Sequence, residues 1–247
     1  MKKITSRNNP LIKKVVALHQ AKQRKTEQQF IAEGIRTCST LIDSGYQPIT
    51  LYVVNTMLDQ AKKFIEEEKI ILVPETVMKK ISRATTPSGL LALFPIPPAP
   101  SLAKLTPGIV LAQINNPGNM GTLIRSAAAM NKTTVVVIEG VDPWHPKVIQ
   151  ASAGTIGLVT IFQLSWQELI QNKGSLQLCA LVVSHGLQPS EVNLSNALLV
   201  IGSETAGIPQ DWLDNCDEKL TLAMPGKIES LNAAVAGSIA LYLSIIE

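Results

Sequence analysis

The chain has 247 residues, of which 46% are hydrophobic and 17% charged, and its net charge is +3. This balance excludes a disordered chain, and the length suits two small domains. No apolar leader follows Met1, and the last apolar segment is rich in Ala, Gly and Ser, so we expect a cytoplasmic protein without a membrane span.

Disulfide and metal chemistry find no support in the sequence. The three cysteines are far apart and odd in number, and the three histidines show no paired ligand spacing. We therefore expect reduced thiols and no metal site.

The positive charge is concentrated at the N-terminus. Residues 1–25 carry eight Lys or Arg and no Asp or Glu, so this segment is +8 and the rest of the chain sums to −5. Lys and Arg supply the sequence-independent part of nucleic-acid affinity by contacting phosphates. We expect Lys13, Lys14, Arg24 and Lys25 to bind RNA. A solvated helix face is the alternative, and charge by itself does not decide between the two.

The first part of the chain is predicted to be a small α/β domain. Asn9-Pro10 predicts a helix start, and helices are expected over 30–44 and 56–68, with strands over 49–54, 70–73 and 90–94. This alternation places an α/β domain over 1–95. Residues 96–107 are rich in proline, which predicts an extended linker.

The second part, 108–247, is predicted to contain a largely parallel sheet covered on both faces by helices. Strands are expected over 109–114, 134–138, 159–163, 178–183, 197–201 and 219–222. Ligands of such sheets bind in loops at the carboxyl ends of the strands.

Three of these loops have an unusual composition. They read NNPGNMG from residue 115, GSETAG from residue 202 and MPGKIESLN from residue 224. Glycine and asparagine permit tight turns and close backbone approach to a ligand. Each loop alone could be an ordinary turn or a helix cap.

Together and in this order, the loops resemble the motifs of the SpoU (TrmH-type) family of RNA 2′-O-ribose methyltransferases, part of the SPOUT superfamily. The matching segments are NNPGNMGTLIR, IGSETAGIP and MPGKIESLNAAVAGSIALYL. The segments ITSRNNPLIKKVVAL and FIAEGIRTCSTLIDSG are similar to the family's ribosomal-protein-like RNA-binding domain. The resemblance implies a C-terminal trefoil knot, S-adenosylmethionine as methyl donor, RNA as substrate and a homodimer.

The resemblance also assigns roles to residues. It makes Arg125 the catalytic position with Asn119 as its companion, Glu204 the acid of the second motif, and Ser230 and Asn232 polar groups beside the ribose. The donor would be held around Gly202, Gly207, Leu222, Met224 and Leu231. Because a guanidinium resists deprotonation, we expect Arg125 to orient the hydroxyl and stabilise the developing oxyanion. The general base stays open.

Two other functions compete with this interpretation. A catalytically silent RNA-binding protein would not require the five polar motif residues together, and a knotted base methyltransferase would share the donor site but attack a nucleobase nitrogen. Ribosomal RNA is favoured over transfer RNA, and the sequence does not indicate which nucleotide is methylated.

A helix over 230–246 carries no charge, which predicts burial on several sides and a homodimer interface.

Overall fold

The computed structural model describes residues 1–227 and 229–245. The chain folds into two compact units. Unit 1 consists of residues 1–98 together with 144–157, and unit 2 consists of residues 99–143 together with the chain from Leu158 onward. Each unit is built around its own sheet.

Unit 1 contains a five-stranded mixed sheet in the order β1-β4-β3-β5-β2. Strands β1, β4 and β3 are parallel, and β5 pairs antiparallel with both β3 and β2. The elements up to residue 95 are β1 (Lys2–Lys3), α1 (Pro10–Ala17), α2 (Ala21–Glu27), β2 (Gln29–Glu33), α3 (Ile35–Asp43), β3 (Thr50–Val53), α4 (Leu58–Ala61), β4 (Ile70–Leu72), α5 (Glu75–Ile81) and β5 (Leu90–Pro95).

Helices α1 and α5 cover one face of this sheet. The N-terminus of α1 is capped by Asn9, whose side chain accepts a hydrogen bond from the Leu11 amide at 2.9 Å. Apolar residues of α1 and α5 are buried in one cluster with alternate residues of the strands. The other face is covered by α3 and α4, whose buried apolar residues, Cys38, Leu41 and Ala61, lie outside that cluster.

Two helices predicted in this unit are wrong in extent. The predicted helix over 30–44 begins with β2, because this segment pairs with β5 and Gly34, at φ 91°, separates the strand from α3. The predicted helix over 56–68 shrinks to α4. Three consecutive glutamates, Glu66–Glu68, lie at what would be its C-terminal end, where negative charge opposes the helix dipole.

Residues 144–157 belong to unit 1 although they lie between two strands of the second sheet. Trp144 packs on Phe30, with ring centroids 5.0 Å apart. Gly154 has φ +83°, and a Cβ there would lie 2.4 Å from the Thr37 carbonyl oxygen. Only glycine permits so close an approach. Gly154 follows the short helix α7 (Pro146–Ala151) in the chain.

Unit 2 contains a six-stranded, fully parallel sheet in the order β11-β9-β10-β6-β7-β8, which confirms the predicted α/β class. Its elements are β6 (Gly108–Ala112), α6 (Pro117–Ala129), β7 (Thr134–Ile138), β8 (Thr160–Gln163), α8 (Trp166–Asn172), β9 (Gln177–Val182), β10 (Ala197–Ile201), α9 (Gln210–Leu213), β11 (Glu218–Thr221) and α10 (Ala233–Leu243). Leu102 and Leu105 of the proline-rich segment pack against its core.

Both motif helices start at an asparagine cap. Asn116 accepts hydrogen bonds from the amides of Gly118 and Asn119 at 2.8 and 3.3 Å, so α6 begins at Pro117. Arg125 lies in the third turn of α6. The helix predicted over 230–246 begins only after Asn232 and ends at Leu243; residue 246 lies outside the described residues.

Candidate active site

A cavity of about 580 Å³ lies at the carboxyl ends of β9, β10 and β11 in unit 2. Its volume falls in the range of about 300–1,000 Å³ typical of small-molecule sites. It is lined by Leu181, Val182, Val183, Ile201, Gly202, Ser203, Glu204, Thr205, Ala206, Gly207, Leu222, Met224, Glu229, Ser230, Leu231, Asn232, Ala233 and Ala236. The structure thus brings together all five residues that the resemblance implicated in donor binding.

The second motif loop forms a tight turn that presents backbone to this cavity. The Ser203 amide donates to the Gly207 carbonyl at 3.1 Å, and the Gly207 amide donates back to the Ser203 carbonyl at 3.0 Å. A Cβ on Gly202 would lie 2.4 Å from the carbonyl carbon of Gly207. Gly207 itself has φ +67°. Glycine is therefore required at both ends of the turn, for close approach at one and for a left-handed backbone at the other.

The third motif loop is joined to the first through two asparagines. Asn232 caps α10 with its Oδ1, which accepts from the amides of Ala234 and Val235 at 2.9 and 3.3 Å. This capping fixes the orientation of the Asn232 amide, so its Nδ2 donates to Asn119 Oδ1 at 3.3 Å. Asn119 Nδ2 is then left as a buried donor without a partner among the described residues.

Arg125 lies apart from these groups. Its side chain is exposed on α6 and does not line the cavity. It follows Asn119 by six residues, which at about 100° per residue puts the two side chains on different sides of the helix. The neighbouring Ser126 hydroxyl is 2.7 Å from that of Ser238, so α6 packs against α10 through Ser126 and Asn119, on a different side of the helix from Arg125. Of the five polar motif residues, Glu204, Ser230 and Asn232 line the cavity. Asn119 is joined to it through Asn232, and Arg125 lies outside it.

The three cysteines are free thiols. Burial raises the pKa of Cys38, Cys179 and Cys216 to about 12, so these thiols stay protonated at neutral pH. Within residues 1–227 and 229–245, no three His, Cys, Asp or Glu side chains are grouped as a metal site. In the same ranges, no helix is long and apolar enough to cross a membrane.

The basic residues proposed for RNA binding divide into two groups. Lys13, Lys14 and Lys25 are exposed in unit 1. Arg24 is only 1% exposed, and its Nη1 donates to the Leu18 carbonyl at 2.8 Å. Arg24 is therefore corrected from an RNA-facing residue to a structural one, because a buried and bonded guanidinium is not presented to a phosphate.

Sequence reasoning missed two contributors to the cavity. One is the end of β9, Leu181–Val183, whose apolar residues look like any buried strand. The other is Ser203, whose hydroxyl accepts from the Ala206 amide at 3.2 Å and braces the turn. Ligands bind where parallel strands end, so this rule points to the end of β9 once β9 is known to be the neighbour of β10.

The comparisons with known proteins agree with this geometry. Residues 107–242 match the SpoU rRNA Methylase family, and residues 9–92 match an MRM3-like substrate binding domain. A tRNA/rRNA methyltransferase of Synechocystis sp. is 30% identical over 97% of this chain and 92% of its own length. The 23S rRNA (guanosine(2553)-2′-O)-methyltransferase RlmP of Bacillus subtilis is 26% identical over 98% of both chains. An AdoMet-bound rRNA methyltransferase from Sinorhizobium meliloti is 25% identical, with a TM-score of 0.87 over 98% of this chain and 97% of that one.

The chain belongs to the SpoU rRNA methylase family, as its three motifs predicted. It is an S-adenosylmethionine-dependent RNA methyltransferase, which confirms the predicted enzyme class and cofactor. The cavity fits this cofactor. Leu222, Met224 and Leu231 supply apolar walls, and the turn from Gly202 to Gly207 supplies bare backbone that a Cβ would obstruct.

Proposed function

We propose that this protein transfers a methyl group from S-adenosylmethionine to a ribose 2′-hydroxyl of ribosomal RNA. The observation that carries the proposal is the cavity walled by the second and third motif loops, together with the Asn232–Asn119 hydrogen bond that ties it to the first motif. The name of the Bacillus subtilis relative, which spans nearly the whole chain, favours ribosomal over transfer RNA. The free thiols of all three cysteines support a cytoplasmic location.

The bound donor supplies an electrophilic methyl group, so the protein has to position a hydroxyl and exclude competing geometries. The Asn119 amide, a buried donor without a partner among the described residues, is suited to an oxygen of the incoming nucleotide. Ser230 and Glu204, both exposed at the cavity, orient the ribose. Arg125 aligns the adjoining phosphate and stabilises the developing oxyanion, which a planar multi-donor cation does well.

The proposed domain boundaries are those expected from the sequence. Residues 1–95 bind the RNA substrate, 96–107 connect, and 108–247 form the methyltransferase domain with a trefoil knot, except that the segment 144–157 packs in unit 1. The match of residues 9–92 to a substrate binding domain supports the first assignment. The positions of the three motif loops at the ends of parallel strands support the last.

We also infer a homodimer that forms through α10. The exposed apolar side chains Val235, Ile239, Tyr242 and Ile245 are 47%, 39%, 52% and 45% exposed. Their spacing of four, three and three residues places them along one side of the helix, and an apolar stripe of this kind marks an interaction surface.

The dimer is tested by Ile239→Lys, which puts a charge in the centre of the stripe. We expect light scattering to give a dimer for the unaltered chain and a monomer for the variant at micromolar concentration. Ile49→Lys is the matched control, since Ile49 is 38% exposed in unit 1. A monomeric mass for the unaltered chain contradicts the inference.

The reaction is tested by transfer of a radioactive methyl group to unmodified 23S rRNA transcript, with transfer RNA as the competing substrate. A methylated ribose blocks attack of the 2′-hydroxyl on the neighbouring phosphate, so alkali should release the label in a dinucleotide. Label released in mononucleotides would indicate base methylation instead. No incorporation, despite measurable donor binding, would favour the silent RNA-binding protein.

A further inference from the structure

The two helical layers of unit 1 carry different charge. Helices α1 and α5 and their flanks, residues 5–20 and 74–83, contain six Lys or Arg and one Glu. All six cationic side chains are exposed: Arg7, Lys13, Lys14, Lys79, Lys80 and Arg83. The opposite layer, formed by α3, α4 and their connections over 35–48 and 55–69, contains four Lys or Arg and five Asp or Glu. Half of the cations in the first layer come from α5, far from the basic N-terminal segment in sequence. We refer to these six side chains as the basic surface.

Hydrogen bonds at both ends of α1 and α5 fix these two helices relative to each other. Ahead of α1, Arg7 Nε donates to the Thr76 carbonyl in the first turn of α5 at 3.0 Å. Beyond α1, His19 Nε2 lies 2.7 Å from the carbonyl of Ile81, the last residue of α5. The two helices therefore run side by side in the same direction, with fixed spacing between their lysine pairs.

The segment that carries Arg83 is also fixed. The Ser82 hydroxyl lies 2.8 Å from both carboxylate oxygens of Glu33, and the Ser88 amide donates to the same carboxylate at 3.2 Å. Glu33 thus binds both ends of the turn between α5 and β5. Cations carried by helices of fixed position lose less backbone conformational entropy on binding than cations on a mobile arm.

The lysines of the basic surface are also free to bind an anion. In the part of unit 1 that the structure describes, none of them lies within 4.0 Å of a carboxylate. On the opposite layer, Lys62 pairs with Glu67 at 3.4 Å and Lys69 with Glu66 at 3.5 Å. The exposed large apolar side chains of unit 1 lie outside α1 and α5, so the basic surface offers no apolar anchor for a membrane or a peptide.

We propose that α1 and α5 together form the surface that holds the phosphate backbone of the RNA substrate, with Lys79, Lys80 and Arg83 contributing as much as the N-terminal lysines. The inference rests on the proposed function and adds a contact surface to it. Exposed cations on two helices of fixed relative position, without exposed aromatic side chains, suit contacts with a row of phosphates and not with the bases. This surface therefore gives affinity, and the choice of nucleotide is made elsewhere.

The test compares two lysine pairs of the same unit in the full chain. Lys79→Gln/Lys80→Gln removes two cations from the basic surface, and Lys62→Gln/Lys63→Gln removes two exposed cations from the opposite layer. At about 0.15 M salt, the first variant should bind unmodified 23S rRNA transcript on the order of tenfold more weakly. The slope of log affinity against log salt should fall by about one to two. The second variant should stay within about twofold of the unaltered chain.

Lys13→Gln/Lys14→Gln should behave as the α5 pair does, and the two pairs combined should reduce the salt slope further. Equal losses of RNA affinity for the lysine pairs of the two layers, or no loss of affinity for the α5 pair, would overturn the inference. Failure of the proposed function looks different: the unaltered chain would bind the transcript but leave its ribose unmethylated. Donor affinity measured by calorimetry should be the same in all variants, since none of these lysines lines the cavity.

Discussion

The two units use opposite means to hold a ligand. In unit 2, short side chains and bare backbone converge on one cavity from loops that are distant in sequence. In unit 1, long cationic side chains are spread over two helices that pack on one face of the sheet. Ligand binding in the first arrangement depends on angstrom-scale fit, whereas binding in the second depends on the sum of many screened charges. We therefore expect single substitutions to act abruptly in unit 2 and gradually in unit 1.

The largest effect is expected for Arg125→Ala. The side chain lies outside the cavity, so donor affinity should be retained, but a charge-assisted contact made in the transition state is lost. Methyl transfer should slow by about a hundredfold or more. Arg125→Lys should recover little, because an ammonium cannot reproduce the guanidinium fork.

Calorimetry of donor binding and single-turnover transfer on both Arg125 variants separate the possible roles. A near-normal transfer rate in Arg125→Ala would remove this residue from the active centre. Loss of donor binding would instead assign it to the cofactor site.

The next effect in size is expected for Gly202→Ala. The new Cβ would lie 2.4 Å from the Gly207 carbonyl carbon, so the turn has to shift. Overpacking of this kind costs about 1–3 kcal/mol, and donor affinity should fall by about tenfold or more. Gly226→Ala is the matched control, because a Cβ there has no neighbour within 4 Å among the described residues. Equal donor affinity in the two variants would show that the turn is not part of the donor site.

A smaller effect is expected at Asn232, where the capping of α10 and the hydrogen bond to Asn119 can be tested by different substitutions. Asp caps helices about as well as Asn, but its carboxylate cannot donate to Asn119 Oδ1. Asn232→Asp should keep its melting temperature and lose on the order of tenfold in transfer rate. Asn232→Ala should also lose about 1 kcal/mol of stability with the cap. An unchanged rate in Asn232→Asp would show that the asparagine pair is only structural.

The smallest effect concerns His19 in unit 1. Burial, with added repulsion from Arg83 and Arg24, lowers the pKa of His19 below its ordinary 6.5. The unfolded chain therefore takes up a proton first as the pH falls, and the stability provided by the neutral ring is lost progressively below about pH 6.5. His19→Gln keeps a donor for the Ile81 carbonyl but does not titrate.

This pH dependence can be followed through Trp144, which lies in unit 1, in a chain with Trp166 and Trp212 replaced by Phe. Urea unfolding between about pH 7 and pH 5 should show a steeper loss of stability with His19 than with Gln. Parallel curves would mean that His19 is not responsible.

The sequence predicted the second sheet better than the first. The central strands β6, β7 and β10 of unit 2 are continuous apolar runs that are buried along their whole length, as in other parallel sheets covered on both faces. Strand β2 was read as part of a helix because Phe30 and Ile31 suit either structure, and pairing with β5, more than 60 residues away, decides the matter. Residues 144–157 join unit 1 through contacts with Phe30 and Thr37 that no local pattern specifies.

The same division holds for function. The order and spacing of three loops identified the family, because a donor site built from backbone requires glycine and asparagine at fixed points of the chain. The sequence also contained every cation of the basic surface. Only the tertiary structure decided which cations act together: it buries Arg24 against the Leu18 carbonyl and sets α5 beside α1 through bonds from Arg7 and His19. The tertiary structure also sets the orientation of the Asn232 amide. That orientation follows from the capping of α10 and from the hydrogen bond to Asn119, 113 positions earlier in the chain. Short-range patterns determine what a residue can do, and long-range packing determines which partners it meets.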